Sequence, residues 1–265
     1  MTFRGNDLND AGGPLDLSIV MPCYNEAENV PYTVPRLVRA FAGSDVRYEI
    51  IPVDNGSKDN TWEKLSELAE KFPGIVRPVQ VAVNIGYGNG ILQGINSANA
   101  RWIGTVAADG QVDAEDVFRL YEACAETDGN VLGKVRRRYR MDGFQRQVIS
   151  VAYNVFVRML WPRLGSWDVN GQPRVLRRDV VQTMDLQSTN WLLDPEMLIK
   201  AHHMGVRVME LNVFARMRGN GLSHVRVATC WEFFTYLLGF RFSGRLKSWR
   251  ERTANRPLGP TVRAS

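Results

Sequence analysis

Two aspartates stand directly after apolar segments of the sequence. Asp54 follows the segment 48–53. Asp109 follows the segment 102–107, and Gln111 comes two residues later. A carboxylate at the end of a strand can accept hydrogen bonds from a base or a ribose, and a carboxylate beside an amide oxygen offers hard ligands to Mg2+ or Mn2+. These residue types predict a site for a nucleoside diphosphate with a divalent cation, although a plain Asp-Gly turn is the simpler explanation of Asp109 alone.

A glycine-rich segment, 84–90, reads Asn-Ile-Gly-Tyr-Gly-Asn-Gly and precedes a helical pattern. Glycine allows a close approach to the backbone, and the first turn of a helix directs its N–H groups at an anion. The segment therefore suits a diphosphate. An ordinary turn at the start of a helix is the alternative interpretation.

The elements that position these residues alternate between strand-like and helix-like patterns. Apolar runs ended by turn residues predict strands at 15–21, 48–53, 75–83 and 102–107. Apolar positions at helical spacing predict helices at 30–41, 61–72, 88–98 and 114–125. This rhythm predicts an α/β fold with a mostly parallel central sheet flanked by helices. Ligands of such sheets bind beyond the carboxyl ends of the strands, where Asp54 and Asp109 are expected.

The second half of the chain is less regular. Its patterns predict strands at 131–135 and 206–214, a turn at 168–173, and helices at 144–160, 194–203 and 230–242. No uninterrupted apolar run is long enough to span a membrane, so no transmembrane helix is expected.

The net charge of +5 is concentrated in two segments. Residues 134–146 contain six basic side chains and one acidic one, and residues 241–263 contain seven and one. These segments predict an anionic partner such as phosphate or anionic lipid, with a solvated surface as the alternative. Nucleic-acid binding is not expected, because no recognisable nucleic-acid module accompanies them. Three scattered cysteines form neither a disulfide framework nor a zinc site, which favours a cytoplasmic location.

Four segments together carry a family resemblance. Residues 17–26 read Leu-Ser-Ile-Val-Met-Pro-Cys-Tyr-Asn-Glu, and residues 53–61 read Val-Asp-Asn-Gly-Ser-Lys-Asp-Asn-Thr. The segments 84–88 and 109–111 follow in the order and spacing of the same family. The chain resembles the family 2 glycosyltransferases, most closely the dolichol-phosphate mannosyltransferase-like branch, from residue 15 to residue 223.

The resemblance implies a GT-A fold, a UDP- or GDP-sugar donor and inversion at the anomeric carbon. It implies that the nucleoside is held by four residues: Pro22, Tyr24, Glu26 and Asp54. Asp109 would contact the ribose or the metal, and Gln111 would help to hold Mg2+ or Mn2+. Two positions depart from the family pattern. Ala107 stands where an acidic residue is common, which leaves one carboxylate of the usual pair, and Asn55 replaces a common aspartate.

The resemblance also implies residues on the acceptor side. Asp194 falls where a carboxylate can deprotonate an acceptor hydroxyl, but a phosphate acceptor is already ionised, so a structural role for Asp194 stays open. Arg218 falls in a late segment that closes over the diphosphate, where its guanidinium would stabilise the leaving group. Arg146 and Ser150 fall where lipid-phosphate synthases of this type hold the acceptor phosphate, and the basic run that begins at Arg136 would assist.

The predicted helix 144–160 carries a polar and an apolar stripe. The polar side chains recur every four residues: Arg146, Ser150, Asn154 and Arg158. The apolar stripe consists of Val148, Val151, Ala152, Val155 and Met159. Such a helix suits a membrane interface or a phosphate-lined groove, with a core helix and a solvated edge as the alternative.

We expect a GT-A domain over residues 15–224, with a nucleotide-sugar-binding half at 15–125 and an acceptor half at 126–224. An aromatic amphipathic helix at 225–243 would cap the domain, pack in a homo-oligomer, or dock a bilayer or a membrane-anchored subunit. A flexible basic tail would occupy 244–265.

The leading hypothesis for function is transfer of a sugar from a nucleotide sugar to a polyprenyl phosphate, by a cytoplasmic enzyme peripheral to a membrane. Transfer to a soluble hydroxyl or amine is the alternative. A third hypothesis, an inactive nucleotide-sugar-binding scaffold, is supported only by Ala107.

Overall fold

The computed structural model describes residues 13–140, 144–215 and 227–253, and gives the backbone alone for 138–140, 144–148, 215 and 227–232. Within these ranges seven strands form one sheet in the order β3-β2-β1-β4-β6-β5-β7. The strands are β1 Leu17–Cys23, β2 Tyr48–Asn55, β3 Val79–Val81, β4 Trp102–Thr105, β5 Val131–Arg140, β6 Arg174–Arg177 and β7 Arg207–Ala215. Only β6 runs antiparallel to its neighbours, which confirms the predicted mostly parallel sheet.

Nine helices in the described ranges cover the two faces of the sheet. They are α1 Val30–Phe41, α2 Thr61–Lys71, α3 Tyr87–Ser97, α4 Ala114–Ala125, α5 Phe144–Leu160, α6 Arg178–Met184, α7 Leu193–His203, α8 Val227–Phe242 and α9 Arg245–Thr253. Helices α1, α2 and α4 pack on one face, and α3 and α5 to α9 pack on the other. None of these helices is both long and apolar enough to cross a bilayer.

The centre of the sheet is buried on both faces. In β1, Leu17, Ile19 and Met21 join the core on one face, while Val20 joins the core on the other. Such continuous apolar runs are typical of parallel strands covered on both sides. The register pairs Cys23, the last residue of β1, with Asp54, one residue before the end of β2, so the loops that follow the two strands begin side by side.

Sequence patterns miss β6 and α6. β6 has only four residues, and it begins and ends with Arg174 and Arg177, so no apolar pattern marks it. Arg174 is nevertheless 1% exposed. A buried arginine requires an ionised partner, and here that partner comes from a remote segment.

The prediction of a flexible tail from residue 244 is wrong in its first part, because α9 occupies Arg245–Thr253. Leu246 and Trp249, one helical turn apart, are buried in the core shared with α5 to α8. The ammonium of Lys200 lies 5.2 Å from the Trp249 ring centroid. These contacts anchor a helix whose other residues are mostly basic, and 254–265 lie outside the described residues.

Gly94 allows α3 to lie directly against the sheet. A Cβ atom at this position would overlap Cγ1 of Val20 and lie 3.1 Å from Cγ2 of Val53. Both valines are fully buried in the close-packed centre of the fold, so neither can move aside cheaply.

We expect Gly94→Ala to lower the free energy of unfolding by about 1–3 kcal/mol, because the steric overlap exceeds the gain in helix propensity. Urea unfolding with an unchanged m-value measures the loss. Gly239→Ala in α8 is the matched control, since Gly239 is exposed and an added Cβ has no atom within 4 Å. The control should gain about 0.5–1 kcal/mol. Equal stabilisation by both substitutions would contradict the packing argument.

Candidate functional site

Hydrogen bonds tie the loop after β1 to the loop after β2. The N–H of Asn25 donates to Oγ of Ser57 at 3.0 Å, and the N–H of Lys58 donates to Oδ1 of Asn25 at 2.8 Å. Asn25 has a φ of 54°, in the left-handed region that asparagine tolerates. Asp54, 3% exposed, accepts the N–H of Ser57 at 3.0 Å. The two loops thus form one platform at the carboxyl ends of β1 and β2.

Three of the residues predicted to hold a nucleoside lie at this platform on the β1 side. Pro22 and Tyr24 are partly exposed, and Glu26 is buried. The N–H of Glu26 donates to the Thr61 hydroxyl at 2.9 Å, and its Oε2 accepts from Nδ2 of Asn29 at 2.5 Å. Glu26 is therefore fixed from both sides of the platform.

The thiol of Cys23 lies near two acidic side chains, Glu26 and Asp54. Burial raises the pKa of Cys23 well above its usual value, and the negative charges of Glu26 and Asp54 raise that pKa further. Both carboxylates act on the same buried sulfur, so two of the predicted nucleoside contacts lie together at the end of β1.

The glycines of the segment after β3 pack against the chain itself. A Cβ atom at Gly86 would overlap the carbonyl of Thr189, and one at Gly88 would overlap the carbonyl of Ser188. The N–H of Asn89 donates to the Thr189 carbonyl at 2.9 Å. Close packing of two backbone segments therefore explains these glycines, without the anion that the sequence suggests.

Asn55 holds this loop to the sheet. It is 2% exposed at the end of β2, and its Nδ2 donates to the carbonyl of Gly86 at 2.9 Å. Its Oδ1 accepts a longer bond, at 3.4 Å, from Nδ2 of Asn89. An ionised aspartate could not donate to a carbonyl oxygen, so the loop contact explains asparagine at this position.

Asp109 and Gln111 line one small pocket of about 30 Å³ beyond the end of β4. Ala107, Arg137 and Gln172 also line it. One carboxylate and one amide oxygen fit Mg2+ or Mn2+ when a diphosphate and water supply the remaining ligands, which is a common way of holding Mg2+. In the described ranges no group of three His, Cys, Asp or Glu side chains could hold a metal ion.

A buried charge network lies behind this pocket. Asp168 accepts hydrogen bonds from Nε and Nη2 of Arg137, each at 2.9 Å. Lys134, fully buried, donates to Oγ of Ser166 at 2.9 Å and to the Asp168 carbonyl, and its Nζ lies 3.6 Å from the Glu210 carboxylate. The network fixes the backbone and side-chain position of Arg137 at the pocket wall.

The network also shifts the proton affinities of its members. Burial, together with the nearby positive charge of Arg174, lowers the pKa of Lys134 to about 8. Although burial opposes ionisation of Asp168, its hydrogen bonds from Arg137 hold its pKa below the usual range. The ion pair of Arg137 with Asp168, which lies nearest the pocket, therefore has both members charged at neutral pH.

Asp194 is the centre of a second buried cluster. It lies in the first turn of α7, is 3% exposed, and pairs with Arg174. The Tyr87 hydroxyl lies 3.5 Å from Asp194 and accepts from Nε2 of Gln172, while the Tyr87 ring stacks on Trp191 with ring centroids 4.3 Å apart. Burial, with the Asp194 charge second, raises the pKa of Tyr87. The carboxylate of Asp194 is thus engaged within the protein.

The exposed indole of Trp167 lies close to two guanidinium groups. Arg136 and Arg158 lie 5.4 and 3.7 Å from the ring centroid of Trp167, which is 59% exposed. Ser150 is partly exposed on α5. The structure therefore brings Arg136 into this cluster. Two further predicted residues fall outside the described side chains: Arg146 and Arg218.

The family profile described as glycosyl transferase family 2 matches residues 18–185, which is more than half of the chain. The chain belongs to this family. The match begins in β1 and ends just after α6, so it includes the platform, the pocket and every member of the charge network behind it except Glu210.

Relatives of this family 2 member include enzymes named for polyprenyl-phosphate acceptors. It is 27% identical over 242 residues to the dolichol-phosphate mannosyltransferase of Pyrococcus furiosus, covering 89% of this chain and 64% of the relative. It is 32% identical over 168 residues to the undecaprenyl-phosphate 4-deoxy-4-formamido-L-arabinose transferase of Proteus mirabilis, covering 63% and 51%. The chain thus spans between half and two thirds of these relatives' lengths.

Solved structures share the fold at lower identity. Glucosyl-3-phosphoglycerate synthase of Mycobacterium tuberculosis, in complex with Mn2+, UDP and glucosyl-3-phosphoglycerate, superposes with a TM-score of 0.69 at 18% identity, covering 89% of this chain and 83% of that one. Its complex with Mg2+ and UDP gives a TM-score of 0.68 at 19% identity, with the same coverage. The architecture is the GT-A fold that the sequence predicts.

The sequence does not mark Arg137, Asp168 and Arg174 as parts of the site. Their ion partners lie 31 and 20 residues away along the chain, so no local motif joins them. One signal was present: Arg174 directly precedes the apolar pair 175–176, and a charged residue in a buried strand implies a remote counter-charge.

Asn55→Asp should lower the free energy of unfolding by about 1–3 kcal/mol at pH 7, because it replaces a buried donor with a carboxylate facing the Gly86 carbonyl. Burial would raise the folded-state pKa of the new carboxyl group. The stability deficit should therefore be small near pH 4 and grow as the pH rises through that folded-state pKa.

Thermal and urea unfolding at several pH values measures this deficit. Asn60→Asp is the control, since Asn60 is exposed at the N-terminus of α2, where aspartate is equally suitable. A deficit for Asn55→Asp that does not change with pH would contradict a buried carboxylate as the cause.

Proposed function

We propose that this family 2 member transfers a sugar from a UDP- or GDP-sugar to a polyprenyl phosphate, with inversion at the anomeric carbon. The observation that carries the proposal is the geometry of the sheet. Asp54 is the second-last residue of β2 and Asp109 follows β4. These two strands flank β1, so their ends lie roughly 10 Å apart. That span suits a nucleoside on one side and a diphosphate on the other. The names of the relatives support a polyprenyl-phosphate acceptor.

On the donor side, the platform made by Pro22, Tyr24, Glu26 and Asp54 would bind the nucleoside. Asp109 and Gln111 would hold Mg2+ or Mn2+, a Lewis acid that neutralises charge on the diphosphate. The same pocket wall presents the Arg137 guanidinium. Arg218 is the predicted partner of the leaving group, and it lies outside the described residues.

The reaction requires one bond to form and one to break. An oxygen of the acceptor phosphate attacks C1 of the sugar, and the bond from C1 to the diphosphate oxygen breaks. The nucleoside diphosphate leaves with the electron pair, and no proton transfer is needed because a phosphate acceptor is ionised at neutral pH.

This chemistry assigns Asp194 a positioning role. Its carboxylate is buried and paired with Arg174, and it accepts a hydrogen bond of 3.5 Å from the Tyr87 hydroxyl, which belongs to the donor half. A general base must reach the proton that it removes. Asp194 instead fixes the relative position of α7, β6 and the start of α3.

On the acceptor side, an apolar face of α5 would lie in a membrane interface. Its exposed side chains are Ile149, Val151, Val155 and Met159. The Trp167 ring lies close to the guanidinium of Arg158, which belongs to α5, and to that of Arg136. Indole with arginine is the pairing expected at a phospholipid headgroup layer. The membrane face would be cytoplasmic, where nucleotide sugars and free cysteines coexist.

A transfer assay tests the function. Purified protein would be incubated with labelled UDP- and GDP-sugars, Mn2+ and undecaprenyl or dolichyl phosphate, and label in the lipid extract counted. We expect lipid-soluble label from one donor class. Label only in hydroxyl or amine acceptors would favour the alternative, and donor binding without any turnover would favour a scaffold.

Asp194→Asn should separate positioning from base catalysis. Removing one charge of a buried pair costs up to about 3–5 kcal/mol of stability. With phosphate as acceptor, kcat of the folded variant, measured well below its melting temperature, should stay within about ten-fold of the parent.

The double variant Asp194→Asn with Arg174→Gln is the matched control, because it neutralises both partners and should recover part of the stability. A loss of about 10²–10⁴ in kcat with intact folding and donor affinity would assign Asp194 the role of base instead.

Val155→Glu should weaken binding to vesicles that contain anionic phospholipid, because it places a charge within the apolar face of α5. Co-sedimentation with such vesicles, and with purely zwitterionic ones, measures the effect. Val83→Glu is the control, since Val83 is also exposed (66%, against 51% for Val155) but lies after β3. Equal binding by both variants would contradict docking through α5.

A further inference from the structure

We propose that Arg137 binds the donor diphosphate as a fixed positive charge, and that Ala107 is the neutral neighbour that allows it to do so. The inference rests on the proposed function, because it assigns a residue to the diphosphate end of that site. It predicts that this chain binds a nucleoside diphosphate appreciably even without a divalent cation.

The first support is position. Arg137 lines the same pocket as Ala107, Asp109 and Gln111, the residues that stand where the family's metal motif would lie. It enters that pocket from β5, whereas the other three follow β4. A ligand bound to Asp109 and Gln111 would therefore meet a guanidinium contributed by another strand.

The second support is rigidity. Nε and Nη2 of Arg137 donate to the two oxygens of Asp168 at 2.9 Å, and its backbone N–H points to the same carboxylate at 3.3 Å. The Arg137 side chain is 17% exposed. A guanidinium held in this way is oriented before a ligand arrives, so little side-chain entropy is lost when an anion binds.

The third support is the charge of the pocket wall. Among the described residues that line it, one is acidic, Asp109, and one is basic, Arg137. An acidic residue in place of Ala107 would make the wall net negative and would give Arg137 a second carboxylate to pair with. A neutral wall repels a diphosphate less than a net negative wall would. Binding of the diphosphate to this pocket should therefore depend less on a divalent cation.

Ala107 substitutions test the proposal with little risk to the fold, because Ala107 is partly exposed and follows β4. The affinities of UDP and GDP would be measured by titration calorimetry, once with EDTA and once with Mn2+. We expect the parent to bind one of them in EDTA. Ala107→Asp should weaken that metal-free binding by about ten-fold or more and should increase the gain from Mn2+. Asparagine is similar in size to aspartate but uncharged, so the metal-free affinity of Ala107→Asn should stay within about two-fold of the parent's.

Arg137→Gln gives the complementary result. Metal-free affinity should fall by about ten-fold or more, whereas affinity in Mn2+ should fall less. Arg177→Gln is the control: Arg177 pairs with Asp179 and its side chain is 12% exposed, but it lies beside the start of β4 rather than its end. Comparing the melting temperatures of the two variants separates loss of an ion pair from loss of a ligand contact.

The outcomes are distinct. If neither UDP nor GDP binds the parent in Mn2+, the proposed function itself fails. If one binds in Mn2+ but not in EDTA, or if Ala107→Asp and Arg137→Gln keep the parent's metal-free affinity, only the role of Arg137 is overturned.

Discussion

The buried ion pair between Arg174 and Asp194 joins parts of the chain that the sheet alone would leave independent. Arg174 lies in β6, the strand that runs against its neighbours, and Asp194 begins α7. Tyr87, at the start of α3, completes the connection through its hydroxyl. Each member is buried, so removing one charge leaves the other without compensation. The pair thus lies beside the place where the loops after β3 and before α7 pack backbone against backbone.

A second group of buried, paired charges lies at the pocket. Lys134, Arg137, Asp168 and Glu210 balance two positive charges with two negative ones, and most of their hydrogen-bonding atoms have partners. Burying a charge is unfavourable unless it is paired, and a buried network whose members are paired holds their side chains in fixed positions. The exposed edge of this network is Arg137, which lines the pocket. Structure and electrostatics of the site are thus set by residues behind it as much as by residues in it.

Sequence patterns predicted the parts of the fold whose signals are local. Continuous apolar runs marked β1, β2 and β4. Asp54 was expected just after its strand, but β2 extends to Asn55 and includes Asp54. β6 could not be predicted, because the burial of Arg174 in this strand depends on the charge of Asp194, 20 residues further along the chain. The glycines after β3 were recognised as allowing a close approach, but what approaches them is the backbone at 188–190, which no periodicity can reveal. The same limit applies to Arg137, whose neighbours are set by strand order.

Two neutral residues at the carboxyl edge of the sheet follow a common physical constraint. Glu26, Asp54 and Asp109 already place three carboxylates near a site suited to an anionic ligand. At position 55 a buried amide satisfies a carbonyl that a carboxylate would repel. At position 107 a methyl group leaves Asp109 as the one acidic side chain among the described residues that line the pocket with Arg137. Each replacement removes negative charge at the edge where the proposed diphosphate would bind, so these departures from the family pattern fit the proposal that the site depends more on its own cations.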